Sequence, residues 1–536
     1  MPYNLIEEDW IPIRRADGSE ERIAPWRVTE DHADPQRRII GLAAPRPDFN
    51  GALIQFLIGL VQTAMPPKDN AEWRASLRTP PSPETLHTAF KSVTHAFNLD
   101  GDGPRFMQDY SLLSSGDEPT DVSVLLIDFP GQQTGKHNKD LFVKRGVVRI
   151  MCYPCTATVL FVLQTNAPSG GQGHRTSLRG GGPLTTILTS ATLWQTVAMN
   201  MMTRSELERS CANPELRDDD AIFPWLSTTR TSEKNGGVET TPHDCHPLQM
   251  YWAMPRRIRI NFQGGQNRHC DLCGSRGVVV ESFVAKNYGI NYGGAWRHPL
   301  SPYGKDKDGS PFPLHPHQGG ITYRHWPSYT HGDESTRITP ATVVHAFSTR
   351  FVNAPEHRMW TFGYEMDNMK AHAWHEASWP YLSVVADEQR KLFASRVTML
   401  CDTADEICRN LKKAVNKALL SAHCEASGSS LTDAASAEFW HVTEPAFYKT
   451  ARLIADTLAD QASPHALYEE WLAALNKASC TVFDNRVNSA MIEYMDIKRA
   501  VLARNDLLRY NNSKKIREKI LHLPSGQTRT ARKKHE

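Results

Sequence analysis

Residues 397–418 read VTMLCDTADEICRNLKKAVNKA. Val397, Cys401, Ala404, Cys408, Leu411, Val415 and Ala418 are separated by steps of four, three, four, three, four and three. That spacing lays one apolar seam along a helix, and a single seam calls for partner helices to cover it. Three further helical stretches follow near 431–460, 465–480 and 487–509, joined by short loops. Together they predict an antiparallel four-helix bundle over 379–510.

Upstream of Trp379-Pro380 the texture differs. Short apolar runs alternate with Gly/Pro-rich loops from about 70 to 375, as expected of mixed α/β structure with long functional loops. Near the start, Trp10-Ile11-Pro12-Ile13 leads into a turn at Asp17-Gly18, which predicts a strand and a hairpin. Residues 50–65, NGALIQFLIGLVQTAM, are apolar on most faces; Asn50 is the expected N-cap and Pro66-Pro67 the stop. A helix apolar all round belongs inside a core. The expected fold class is α+β. A large mixed α/β domain spans 1–378, the bundle 379–510, and a basic, flexible tail 511–536.

Composition narrows the class. The 536 residues are 40% hydrophobic and 22% charged, close to globular averages. No run of about 18 apolar residues is present, and the first residues lack a basic, then apolar, leader, so neither a membrane span nor a secretory signal is expected. Ten cysteines are too few for a disulfide scaffold, and a reducing cytoplasm is the expected compartment. Net charge is +2, but 511–536 alone holds eight Lys/Arg against two Glu. A basic end on a near-neutral body points to polyanion attraction or to a solvated terminus.

The sharpest chemical signal is Cys152-x-x-Cys155 with Cys270-x-x-Cys273, Gly274 following as a tight turn requires. Four thiolates around zinc make a closed structural site, here stapling segments 114 residues apart. Between the pairs lie Ser169-Gly170-Gly171-Gln172-Gly173 and Leu178-Arg179-Gly180-Gly181-Gly182. Glycines admit positive φ and close backbone approach, though an irregular turn reads the same way. Residues 129–145, FPGQQTGKHNKDLFVKR, crowd Lys136, His137, Asn138, Lys139, Lys144 and Arg145 beside Phe129 and Phe142. Such a stretch suits phosphates and unpaired bases, or is simply a solvated basic loop. Gly363-Tyr364-Glu365-Met366-Asp367-Asn368-Met369-Lys370 reads by itself as a capped helix start, or as a wedge for a duplex. His298, His315, His317, His325 and His331 follow no zinc-protease spacing, and no Walker A or GxSxG motif is present.

In combination these motifs resemble the large subunit of the type I-E CRISPR surveillance complex, Cascade (the CasA family). The resemblance runs from NLIEEDWIPIRR at 4–15 to about 510, through PPKDNAEW, HNKDLF, both cysteine pairs, NAPSGGQG, SLRGGGP, WRHPLSPY and GYEMDNMKA. It implies a non-catalytic subunit that reads the protospacer-adjacent motif in double-stranded DNA. Such a subunit starts strand separation for the R-loop and helps recruit a helicase-nuclease. Its implied partners are the other Cascade subunits, the guide RNA and the target DNA. Residue by residue, the family's glycine loop matches Ser169, Gly170, Gly171, Gln172 and Gly173. Its wedge matches Asp367 and Asn368, with Met369 beside them, and its lysine finger falls at Asn287 with Lys286 adjacent. The stretch from Phe129 to Arg145 matches the segment that engages the RNA handle and neighbouring subunits. The alternative expectation is a zinc-dependent nucleic-acid-processing enzyme using the histidine-rich segment or His137-Asn138-Lys139.

Overall fold

The computed structural model describes residues 2–110, 118–130, 146–209, 213, 216, 218–263, 265–332, 337–350, 357–367, 370–382, 384, 387–419, 429–458, 464–489 and 496–524. The chain forms two compact units, one of residues 1–321, 333–351 and 356–381, the other of 322–332, 352–355 and 382–536. Among the described residues, no helix is long and apolar enough to cross a membrane.

The first unit is organised by the helix Pro47–Ala64, whose Ala52, Leu53, Ile54, Phe56, Leu57, Ile58, Leu60 and Val61 are all buried. Phe56 sits at its centre, met edge-on by Trp10, Phe97, Phe106, Phe161 and Trp252 at ring separations of 5.1 to 5.9 Å. Asn50 is not the N-cap. The helix starts a turn earlier with Pro47 in its first position, where a missing N–H costs nothing, and Asn50 instead accepts from the Ala44 N–H at 2.9 Å. It ends at Ala64, before Pro66-Pro67. The opening hairpin forms as expected: Ile11–Arg15 pairs with Glu20–Ile23 across a turn in which Gly18 has φ +87°, and Ile39–Leu42 adds a third strand.

Further strands position the chemistry-bearing residues. Met151–Cys152, Arg276–Val280 and Asn267–His269 form one antiparallel sheet; Thr120–Asp121, Ser282–Lys286 and Arg257–Asn261 form another. The segment at 363–370 does not begin a helix. Arg358–Asp367 is a central strand, flanked by Lys370–Pro380 and Thr185–Thr189. Its aromatic, alternating residues pack across the sheet: Phe362 stacks on Trp374 at 5.5 Å, and Trp374 meets Tyr364 at 4.9 Å.

Among the described residues the second unit holds four long helices, Asp387–Leu419, Ser429–Asp456, His465–Ser489 and Ile497–Asn511, the first touching each of the others. All seven seam residues from Val397 to Ala418 are buried. The 322–332 segment joins this unit: Tyr323 stacks on Phe447 at 4.4 Å, and its hydroxyl meets Thr443 Oγ1 at 2.9 Å. The stretch from 511, expected as a solvated tail, stays packed as far as Leu523. A π-helical turn, Lys515–Ile520, buries Ile516, and Leu521 and Leu523 are buried after it.

Candidate nucleic-acid interface and metal centre

The four cysteines converge. Their sulfurs all lie within 4.8 Å of one another, and Cys152 Sγ stands 3.6 Å from Cys273 Sγ. Tetrahedral zinc with Zn–S bonds of about 2.3 Å would hold its sulfurs about 3.8 Å apart. Local structure sets each ligand. Cys152 closes the strand Met151–Cys152 and caps the helix Tyr153–Asn166, whose first turn carries Cys155. Cys270 and Cys273 flank a turn closed by Gly274 N–H to Cys270 O at 2.9 Å, with Gly274 at φ +71°. Asp271 ties the two knuckles together by accepting from the Arg149 and Ile150 N–H groups at 2.7 and 2.9 Å. Arg22 donates to Cys273 Sγ at 3.1 Å. Hydrogen bonding to Cys152 pulls Cys273 well below the usual thiol range and Cys270 down to about 6, while the bond to Cys152 pushes Cys155 up. Four sulfurs at this spacing can hold a metal ion, and the donor set suits zinc in a closed, structural role.

The glycine loop runs from the end of that helix to Thr185. It closes on itself through Ser177 N–H to Ala167 O at 3.0 Å and Gly182 N–H to Asn166 O at 3.1 Å. Gly171, Gly173, Gly180 and Gly182 all have positive φ. They differ in surroundings. A Cβ on Gly173 would lie 2.9 Å from Asn287 Cβ and 3.0 Å from the Tyr288 ring, whereas one on Gly171 would meet nothing nearer than His174 at 3.6 Å. Tyr288 itself has φ +63°, a conformation held by its N–H to Gly173 O at 2.8 Å and by Gln172 Nε2 donating to its hydroxyl at 2.8 Å. Ser169, Gly171, Gln172 and Asn287 are exposed, and Lys286 ends the strand just before Asn287. The structure therefore seats the glycine loop directly on the Asn287–Tyr288 turn.

The other end of the loop is bolted down by a residue that the sequence reading passes over. Arg179 is buried with no carboxylate partner among the described residues and donates to Gln55 Oε1, Thr185 Oγ1 and Ser301 Oγ at 2.5 to 3.0 Å; burial lowers its pKa to about 10. Its one outward sign in the sequence is a lone charge inside a glycine run. A Cβ on Gly182 would stand 2.6 Å from Tyr364 O, so this end of the loop abuts the hairpin. Asp367 is exposed at the tip, paired in register with Lys370. Two residues lower, Glu365 accepts from His375 Nε2 at 2.7 Å and lies 3.3 Å from His372 Nδ1. Asn368 and Met369 lie outside the described residues, as do Lys136, His137, Asn138, Lys139, Lys144 and Arg145; Phe129 is half-buried. Among the described residues the five histidines form no cluster that could hold a metal ion. His298 and His315 are spent on the Leu300 N–H and Arg179 O, while His325 and His331 belong to the second unit.

Comparison with known proteins now decides the family. The profile of the CRISPR-associated protein Cse1 matches residues 4–482. This chain belongs to the Cse1 family. The matched stretch takes in the cysteine cluster, the glycine loop, the hairpin and most of the bundle. The fold agrees with solved Cse1 structures. CasA of Thermus thermophilus superposes with a TM-score of 0.69 at 16% identity, over 95% of this chain and 99% of that one. Cse1 of Thermobifida fusca gives 0.67 at 15% identity, over 97% and 98%. A chain from a CRISPR RNA-guided surveillance complex gives 0.64 at 14% identity, over 96% and 100%.

Proposed function

We infer that this Cse1-family chain is the non-catalytic large subunit of an RNA-guided Cascade complex. It recognises the protospacer-adjacent motif in double-stranded DNA, starts strand separation and helps recruit a helicase-nuclease. The observation that carries the reading is the glycine loop seated on Asn287–Tyr288, with the bare backbone of Gly171 outermost. The minor groove offers a degenerate code, so its reader needs close backbone approach and a few polar donors rather than a row of arginines. Ser169, Gln172 and Asn287 are such groups. Exposed Asp367, with Asn368 and Met369 next to it in sequence, serves as the wedge, and the basic stretch from Lys136 to Arg145 meets guide-RNA phosphate. Guide pairing then supplies the sequence, in an exchange so nearly balanced that a few kcal/mol decide whether it starts. Zinc at Cys152, Cys155, Cys270 and Cys273 would hold the sheet whose strand Arg276–Val280 runs, past Glu281, into the strand that ends beside Asn287, and would leave no open position for hydrolytic water.

The test uses the assembled complex. Gly171→Asn keeps a residue tolerant of positive φ but sets a side chain where the groove must approach. Capture of a motif-bearing duplex should fall about tenfold, roughly the 1.4 kcal/mol of one lost close contact, even on partly unwound DNA. Retained motif discrimination by this variant overturns the reading.

A further inference from the structure

The hairpin 358–380 is laddered to Thr185–Thr189 along Arg358–Phe362, and nearer its tip a side-chain contact reaches from it to the rest of the unit. Tyr364, three residues before the tip at Asp367, donates its hydroxyl to Asp48 Oδ2 at 2.7 Å. Asp48 lies in the first turn of the helix Pro47–Ala64, with a side chain 3% exposed. Its carboxylate also accepts from Arg46 Nε at 2.9 Å and Nη2 at 3.0 Å. Arg46 Nη2 continues to Asp128 Oδ2 at 3.1 Å. Asp128 immediately precedes the stretch 129–145, with its four Lys/Arg and two phenylalanines.

A buried carboxylate is costly unless its lone pairs are answered. Here a forked guanidinium, a phenol and the positive end of a helix answer them. At the end of the ladder to Thr185–Thr189 the strands lie flush on the helix: a Cβ on Gly51 would stand 2.8 Å from Trp374 and 2.9 Å from Phe362. Apolar contact fixes distance but little direction, because dispersion has no angular preference. Beyond Phe362, where the ladder to Thr185–Thr189 ends, the tyrosine hydroxyl supplies direction, and a phenylalanine would fill the same space without it.

We propose that Arg46, Asp48 and Tyr364 form a positioning relay that sets the angle of the hairpin for opening DNA and ties it to the start of the basic stretch at Asp128. The relay rests on the wedge reading of the hairpin. A polyanion drawn to 129–145 and a duplex split at Asp367 would then be linked through one carboxylate. These residues touch no nucleic acid themselves; they act through the hairpin.

The test compares assembled complexes on two DNA targets, one fully paired and one with a premade bubble beside the motif. Tyr364→Phe should weaken capture of the paired target about tenfold, as for a lost hydrogen bond to a charged group, and leave the bubbled target within about twofold. Arg46→Lys should act in the same direction. The double variant should lose no more than the larger single loss, because both changes break one chain. Equal losses on both targets, or wild-type behaviour of Tyr364→Phe, overturn the positioning role. Additive losses overturn the link through Asp48. Asp367→Ala reports on the wedge itself: if it spares paired and bubbled targets alike, the wedge reading fails and the relay with it. If it shows the paired-target defect while Tyr364→Phe does not, only the relay fails.

Discussion

The two units are stabilised in opposite ways. In the bundle, Val397, Leu400, Ala404, Ile407, Leu411 and Val415 repeat one kind of contact along a single face, each 0% exposed. In the first unit the loops that matter are held by contacts that occur once: Asp271 bridging the knuckles, Arg179 under the glycine run, Tyr364 on Asp48. A repeated apolar contact degrades gradually when one residue changes. A singular contact fails outright, because nothing nearby can substitute for its geometry.

The largest expected effect tests the most singular feature. The protein should carry about one zinc per chain by elemental analysis, as four thiolates require. Replacing Cys152 and Cys270 together with Ser should remove it and weaken the first unit by on the order of 5 kcal/mol, given the ~10–16 kcal/mol that structural zinc supplies to small domains. Calorimetry should show the bundle's transition unmoved. A shift in both transitions would mean that the two units do not differ as described. A zinc-free, well-folded protein would end the structural assignment of the cluster.

Next in size is a matched pair of substitutions. Gly182→Ala adds one carbon 2.6 Å from Tyr364 O at a residue with φ +63°. Overpacking and left-handed strain each cost ~1–3 kcal/mol, so about 3 kcal/mol should be lost. Leu411→Ala removes three carbons from the fully buried seam and should also cost about 3 kcal/mol. Adding one atom to the loop thus matches removing three from the helix. Chemical denaturation of the two variants checks this, and a Gly182→Ala loss below about 1 kcal/mol would show that the loop yields where it is described as rigid. Gly171→Asn belongs beside them as the contrast within the loop. Its surroundings are open, so stability should stay within about 0.5 kcal/mol while DNA capture falls.

What is legible in the sequence follows the same division. The seam at 397–418 declares its helix because a periodic contact leaves a periodic trace, and the paired cysteines announce a cluster able to hold a metal ion because ligand spacing within each pair is local. The segment at 363–370 reads locally as a helix start and is not one: Gly363–Asp367 pairs with Lys370–His375, and the strand's earlier half, Arg358–Phe362, pairs with the distant Thr185–Thr189, which leaves no local mark. Asn50 is misplaced as a cap because Pro47, a better first residue, lies outside the apolar run. Arg179 and Asp48 are invisible for a related reason. A buried charge is recognised by its partners, and those partners are dispersed along the chain. Joining of 322–332 to the bundle likewise rests on Tyr323 and Trp326 set among Phe393, Trp440 and Phe447, not on a pattern.

The smallest expected effect concerns where the bundle ends. Glu406 receives Lys515 Nζ at 2.8 Å and Arg409 Nη2 at 2.6 Å. Burial by itself would raise its pKa, but hydrogen bonds from Lys515 and Arg409 outweigh burial and hold it below the usual range. In the unfolded chain the same carboxyl takes up its proton near pH ~4.3. As pH falls through that value the unfolded state binds protons first, so the pair's contribution is complete above about pH 5 and is lost on passing below the folded pKa. Lys515 is 60% exposed, so the contribution should be about 0.5 kcal/mol, in the range of solvated pairs. Lys515→Met should therefore lower the bundle's melting temperature by about 1–2 °C at about pH 7, with no difference from the parent near pH ~3. Calorimetry at the two pH values makes the check. A larger loss, or one that persists in acid, would mean that the lysine's hydrocarbon stem matters more than its charge. The 511–524 segment would then be held by a singular contact like those of the first unit, and the contrast between the units would end at Asn511.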